Sequence, residues 1–121
     1  MNRHNYKYDN IKPVHWEDIG QFFLDSFGDE YLRMFELILE IQASELKDRI
    51  VGITSINTLI LSVNHPIGPQ KKALHIRYYP KEDLWSFVYY FAPFSLTRFS
   101  RTYPGEQGIE KFDQFIHWMR W

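Results

Sequence analysis

The sequence predicts an α+β domain of two layers, in which an antiparallel β-meander of three to four strands is covered on one face by N-terminal and C-terminal helices. Three observations support this prediction. Apolar residues recur at helical spacing near both ends of the chain, β-branched residues concentrate after residue 50, and apolar and polar residues alternate between residues 74 and 91. We expect the polar residues 1–14 to form an N-terminal arm and residues 15–121 to form a single α+β domain.

The first helix is predicted from Trp16 to Phe27. Its apolar residues Ile19 and Phe23 lie four positions apart on one helical face, and Glu17 suits the positive end of the helix dipole. Gly28 follows, and glycine is the residue that most often ends a helix.

A second helix is predicted from Asp29, as its cap, to about Lys47. Its apolar stripe would consist of Leu32, Phe35, Leu39 and Leu46. Apolar and polar residues also alternate between Phe35 and Gln42, so the segment Tyr31–Gln42 can be read as a strand. Helix is preferred because the segment is long and rich in Leu, Met and Glu.

The strands are predicted from Ile50 onward, where β-branched residues dominate. Gly52 and Asn57 are expected to interrupt this segment, which leaves Thr58–Val63 as the main strand. A loop rich in proline and glycine follows at residues 64–72, then a hairpin at residues 74–91, and then a strand at Leu96–Tyr103. The last helix is predicted from Glu106 to Met119, where apolar residues recur at intervals of three and four.

Alternation divides the hairpin into two faces. The inward face is predicted to hold Trp85, Phe87, Tyr89 and Phe91, a set large enough to form much of the core. Opposed residues must lie on the same face, and pairing Pro80 with Trp85 satisfies this rule with a four-residue loop. This register opposes Tyr78 to Phe87 and His75 to Tyr90.

Composition excludes several classes of function. The chain has no cysteine, so it has no disulfide framework, and this suits a reducing cytoplasm. Its N-terminus lacks the apolar region of a signal peptide, and no apolar run approaches the roughly 18 residues of a membrane span. The net charge of -1 provides no general attraction to nucleic acid or anionic lipid. We therefore expect a cytoplasmic protein without a membrane partner.

The motifs of common cofactors and reactions are missing. The five histidines do not have the spacing of a zinc site, and the sequence contains no HExxH, GxSxG, phosphate-binding loop or dinucleotide fingerprint. Asp113 with His117 and Glu36 with Glu40 lie four residues apart, and both pairs are expected on solvated helix faces. The sequence thus predicts no metal, no cofactor and no catalytic residue, although missing motifs do not exclude an enzyme.

The outward face of the predicted sheet is the leading candidate site. It carries His75, Arg77, Tyr79 and Tyr90, and Arg98 joins them if the last strand pairs alongside. Tyrosine and arginine dominate the energetics of protein interfaces, so we expect a small non-catalytic domain that binds a protein partner. One concrete form is an inhibitor of the immunity or antitoxin type, and the acidic helix at Asp29–Asp48 is a second possible contact surface. The competing interpretation is a solvated sheet face with no partner.

Two other functions stay open. A small molecule or substrate would bind between the sheet and the helices. Arg101 lies two positions from Phe99 in the strand, so it shares the same face and is expected to point inward. An enclosed pocket of roughly 300 Å³ around Arg101 would favour this alternative. A nucleic acid would use Arg77, Arg98 and the lysines at 71–72, and the net charge makes it the least favoured partner.

Overall fold

The computed structural model describes residues 15–63, 72–90 and 98–121. They form α1 (Trp16–Phe27), α2 (Leu32–Gln42), β1 (Val51–Ser55), β2 (Thr58–Ser62), β3 (Ala73–Tyr79), β4 (Leu84–Tyr90), β5 (Arg98–Pro104) and α3 (Gly108–Met119). Short 3₁₀ turns at Asp29–Tyr31, Glu45–Asp48 and Gly105–Gln107 flank α2 and precede α3. The predicted α+β class is confirmed. The predicted arm, residues 1–14, lies outside the described residues.

The sheet is an antiparallel meander in which the strands pair in chain order from β1 to β5. Its described part has five strands, so the prediction of three to four was wrong. Gly52 does not interrupt β1, and its missing side chain allows close packing, since a Cβ there would lie 2.8 Å from the ring of Trp16. Ile56 and Asn57 form a two-residue turn into β2, with Ile56 in the left-handed region at φ 55°.

The helices cover one face of this sheet, which we name the inner face. The predicted core residues Trp85, Phe87 and Tyr89 are at most 1% exposed, which confirms their assignment to the interior. The core also takes in residues of the first strands and of α1, α2 and α3, among them Phe23, Ile38, Leu59, Leu61, Leu74, Ile76 and Phe112. The predicted inward residue Phe91 lies outside the described part of the chain.

The second helix is confirmed as a helix, but its length and its buried stripe differ from the prediction. It spans Leu32–Gln42, and the segment beyond Ser44 forms a 3₁₀ turn in which Ser44 Oγ accepts a hydrogen bond from the Leu46 amide. Leu32 and Leu39 are 50% and 43% exposed. The buried stripe has the same helical spacing on a neighbouring face, and it consists of Met34, Leu37, Ile38 and Ile41.

The hairpin between β3 and β4 has a register two residues away from the predicted one. Tyr78 lies opposite Trp85, and His75 lies opposite Val88. A shift of two residues keeps every side chain on its predicted face, because side chains alternate with a period of two. The turn therefore covers residues 80–83, and it closes with Asp83 at a positive φ of 51°.

Asp83 joins the hairpin turn to α2. Arg33 donates to both carboxylate oxygens, at 2.8 Å from Nε and 3.3 Å from Nη2, and the Tyr78 hydroxyl donates to the same carboxylate. The Asp83 backbone carbonyl accepts from the Gly105 amide at 2.8 Å. The Tyr78 hydrogen bond and then the Arg33 pair hold the pKa of Asp83 below its usual value. This group fixes the register that alternation leaves open.

Replacing Tyr78 with phenylalanine is expected to lower the free energy of unfolding by about 1–2 kcal/mol at pH 7, because it removes a hydrogen bond to a charged acceptor. Folding lowers the pKa of Asp83, so its ionised carboxylate contributes fully to stability at pH values above the ordinary carboxylate pKa. This stabilisation is lost as the pH falls through the pKa of Asp83 in the folded chain. Urea denaturation of both proteins from pH 7 to 3 should show the difference shrinking in acid.

Tyr31→Phe provides a matched control for this measurement. The Tyr31 hydroxyl accepts a long bond of 3.4 Å from the neutral amide of Asn57, so its removal should cost less and should not depend on pH in this range. A cost of Tyr78→Phe that is the same at pH 3 and pH 7 would contradict the role given to Asp83.

Candidate functional site

The candidate residues lie on the sheet face opposite the helices, which we name the outer face. His75, Arg77 and Tyr79 alternate along β3, and Tyr90 ends β4 on the same side. The four predicted residues are therefore brought together by two adjacent strands. Leu84, Ser86 and Val88 complete the β4 row between Tyr79 and Tyr90.

The β3–β4 part of the outer face is open to solvent. Tyr79, Leu84 and Tyr90 are 39%, 37% and 38% exposed. Arg77 is also exposed, and its Nε donates to Thr58 Oγ1 on β2 at 2.7 Å. This bond fixes Nε of the guanidinium and leaves the two terminal nitrogens to donate to another acceptor.

His75 is a packed member of this face. Its ring lies 4.7 Å from the Tyr90 ring at an interplanar angle of 69°. Burial, and then the charge of Arg77, lower the pKa of His75 to about 4. The imidazole is therefore neutral at pH 7, and it supports Tyr90 by an edge contact rather than by charge.

The other end of the outer face is apolar, a feature that sequence reasoning missed. Ile53, Ile60 and Ala73 are buried there and form a small cluster with Val51. The signal was present, because the register of the β1–β2 hairpin places Ile53 opposite Ile60 and Val51 on the same face. The outer face thus changes from apolar at β1–β2 to Tyr- and Arg-rich at β3–β4.

The two arginines of β5 occupy positions on opposite faces of the sheet. Arg101 lies opposite Phe87 and so belongs to the inner face, as its parity indicates, but its side chain is exposed. Its guanidinium lies 5.0 Å from the Phe99 ring centroid, and its Nη1 donates to the Ser100 carbonyl at 2.8 Å. The expectation that Arg101 is buried was therefore wrong, because β5 is the last strand in the order of the described sheet. Arg98 pairs with Tyr90, and its side chain lies outside the described part.

Arg101 lines neither of two clefts that the described residues form. The first, of about 300 Å³, lies between Trp16 and Asp48 at the start of α1. A second, of about 230 Å³, lies between β5 and α3. The Tyr78 hydroxyl donates to the Asp83 carboxylate.

Two segments of the sequence carry opposite charge. Residues 15–49, which contain α1 and α2, hold nine Asp and Glu against three Lys and Arg, whereas residues 50–121 hold five against eight. The acidic side chains at positions 36, 40 and 45 of this helical segment are exposed. An acidic segment that holds α1 and α2 is thus followed by a mildly basic segment that holds the sheet and α3.

Within the described ranges, no group of three or more His, Cys, Asp or Glu side chains has the geometry to hold a metal ion. The helices of that same part of the chain are too short or too polar to cross a lipid bilayer.

Comparison with protein-family models, with curated proteins and with solved structures gave no match. A functional assignment therefore depends on the chemistry of the chain's own surfaces.

Proposed function

We propose that this chain is a non-catalytic interaction domain that binds a protein partner through the β3–β4 part of its outer face. The observation that carries the proposal is the joint exposure of Tyr79, Leu84 and Tyr90 around Arg77 on one rigid sheet surface. Tyr and Arg are the residues that most often supply the binding energy of protein interfaces. Large apolar side chains that stay exposed together on a folded domain are typical of a contact surface.

Rigidity favours these side chains as anchors. The inner-face residues behind them, Trp85, Phe87 and Tyr89, are almost fully buried, so the strands that carry the outer face cannot shift independently. Tyr90 is further held by the His75 ring. Side chains fixed before binding lose little conformational entropy when a partner docks.

The partner is expected to present a carboxylate to Arg77 and apolar surface to the two tyrosines. An inhibitor of the immunity or antitoxin type is one concrete form of such a domain, by analogy with the size and composition of that class. The absence of cysteine from all 121 residues suits a partner met in a reducing compartment such as the cytoplasm.

Affinity capture with the wild-type chain and a Tyr79→Ala/Tyr90→Ala variant tests the proposal. We expect a partner recovered by the wild type to be lost with the variant, since truncating an interface tyrosine costs on the order of 2 kcal/mol, or about 30-fold in Kd. Titration calorimetry with the purified partner would measure that change.

The matched control is Leu32→Ala/Leu39→Ala, which removes two similarly exposed side chains from α2. Its affinity should equal that of the wild type. Loss of binding with the α2 control and not with the tyrosine variant would move the site to α2 and overturn the proposal.

A further inference from the structure

A surface cleft between β5 and α3, which we name the edge cleft, has features that the outer face does not explain. It has a volume of about 230 Å³, and it is lined by Phe99, Tyr103, Lys111, Gln114, Phe115 and Trp118. Trp118 is 61% exposed, and its ring lies 5.7 Å from that of Phe99. An exposed tryptophan beside two further aromatic rings is a large apolar surface for a folded chain to leave open.

Two cations border this aromatic surface. The Arg101 guanidinium lies 5.0 Å from the Phe99 ring centroid, and the Lys111 ammonium lies 5.5 Å from that of Tyr103. Among the described residues, no carboxylate oxygen lies within 4.0 Å of either cation. The edge cleft therefore offers an apolar floor flanked by two positive charges, which is complementary to a ligand with both an apolar group and a carboxylate.

The backbone of β5 offers a second kind of contact. Among the described strands, β5 has β4 as its one neighbour. The Gly105 amide donates to Asp83 carbonyl at 2.8 Å, which marks this as a hydrogen-bonded pair of the antiparallel ladder. Such pairs alternate along an antiparallel ladder, so every second residue counted back from Gly105 bonds to β4. Ser100 and Thr102 lie between these residues, and their N–H and C=O groups point away from β4. The Arg101 side chain bonds to one of these groups, the Ser100 carbonyl.

We propose that β5 and the edge cleft bind an extended, acidic segment of a partner protein. The segment adds as a strand to β5 through the backbone groups of Ser100 and Thr102. One apolar side chain of the segment packs against the exposed surface of Phe99 and Trp118. A carboxylate two residues away binds between Arg101 and Lys111, because side chains at i and i+2 of a strand lie on the same face.

This site is separate from the outer face and goes beyond the function proposed for it. The cleft uses inner-face residues of β5 together with α3, whereas Tyr79 and Tyr90 belong to the outer face of β3 and β4. A volume of about 230 Å³ is below the usual range of about 300–1,000 Å³ for small-molecule sites, which favours a segment that binds largely through its backbone.

Three synthetic nine-residue peptides test the proposal directly. The first alternates valine and threonine, with one phenylalanine and a glutamate two residues later. The second has lysine in place of that glutamate. The third has the first sequence with N-methyl groups on the backbone amides that would face β5. Fluorescence or NMR titration should show saturable binding of the first peptide, and at least about tenfold weaker binding of the other two.

Variants of the chain locate the site. Arg101→Glu/Lys111→Glu should lose the glutamate peptide and gain affinity for the lysine peptide. Arg49→Glu/Lys81→Glu makes the same change in net charge at two exposed positions outside the cleft, and it should bind as the wild type does. The Tyr79→Ala/Tyr90→Ala variant should also keep peptide binding, which separates this proposal from that for the outer face.

Four results would overturn the inference. Absence of saturable binding of the first peptide would show that the cleft does not bind an extended segment. Equal affinity for the glutamate and lysine peptides would show that the cleft does not select a carboxylate. Equal affinity for the first peptide and its N-methylated form would show that the segment does not add to β5 as a strand. Binding of 3-phenylpropanoate, an aromatic carboxylate without a peptide backbone, as tightly as the first peptide would instead make the cleft a small-molecule site.

Discussion

Replacing Gly108 with alanine is expected to lower the free energy of unfolding by about 2–3 kcal/mol. On local grounds the change should stabilise α3, because Gly108 has helical φ and ψ of -59° and -48° and alanine is the better helix former by about 1 kcal/mol. Packing reverses the sign. A Cβ at this position would lie 2.2 Å from Nε1 and 2.4 Å from Cε2 of Trp85.

The Trp85 ring cannot relieve this overlap cheaply. It is 1% exposed, and its Nε1 donates to the Gly105 carbonyl at 2.9 Å. A shift that makes room for the new methyl group therefore breaks a buried hydrogen bond or displaces α3 from the sheet.

Two further variants test this explanation by chemical denaturation. Gly20→Ala places a Cβ at 3.3 Å from the Phe35 ring, where a few tenths of an ångström suffice, so it should be nearly neutral. Gly108→Ala should cost less in a Trp85→Leu background than in the wild type, because the indole is the obstacle. The same cost in both backgrounds would show that Trp85 is not the cause.

The faces of the sheet could be predicted from the sequence, whereas its register could not. Alternation places Trp85, Phe87 and Tyr89 inward for any register that preserves parity, and burial then makes that choice of face strongly favourable. The two-residue offset was decided by the turn, where Asp83 takes a positive φ and accepts from Arg33 and Tyr78. Arg33 lies 50 residues away in sequence, so local reasoning could not reveal the contact.

The candidate site could likewise be predicted from the sequence only in part. Parity alone placed His75, Arg77, Tyr79 and Tyr90 on one face, and the structure brings them together there. Parity also placed Arg101 on the inner face, but it carried no information on whether a helix covers that position. The edge cleft was missed for a related reason, since it requires the distance between β5 and α3, two elements joined by the turn at Gly105–Gln107.

Acidification from pH 7 to pH 4 is expected to lower the free energy of unfolding by about 2–3 kcal/mol through His75 alone, after allowance for the solvent-exposed part of the ring. Burial, and then Arg77, lower the pKa of His75 from 6.5 to about 4 in the folded chain. A base whose pKa is lowered by folding takes up its proton more readily in the unfolded chain. Its stabilising contribution is therefore complete above about pH 6.5, declines as the pH falls towards 4, and stays constant below that.

The variant His75→Gln isolates this contribution, because glutamine is neutral throughout the range. Other titrating groups are common to both proteins, among them Asp83, with a lowered pKa, and Asp113, whose pKa is raised by burial and then by Glu40. They cancel in the difference between the two stability profiles. That difference should change by about 2–3 kcal/mol between pH 7 and 4, and the His75 ring protons should titrate near pH 4 by NMR.

The position of His75 connects this measurement to the outer face. Its ring packs against Tyr90, so a charge on the imidazole acts on a side chain that the proposed partner would contact. Wild-type and His75→Gln profiles that run parallel from pH 7 to 4, or a His75 that titrates near 6.5, would mean that the ring is solvated. Tyr90 would then lack its packed support, and before a partner binds the outer face would be held only by the buried inner-face residues behind it.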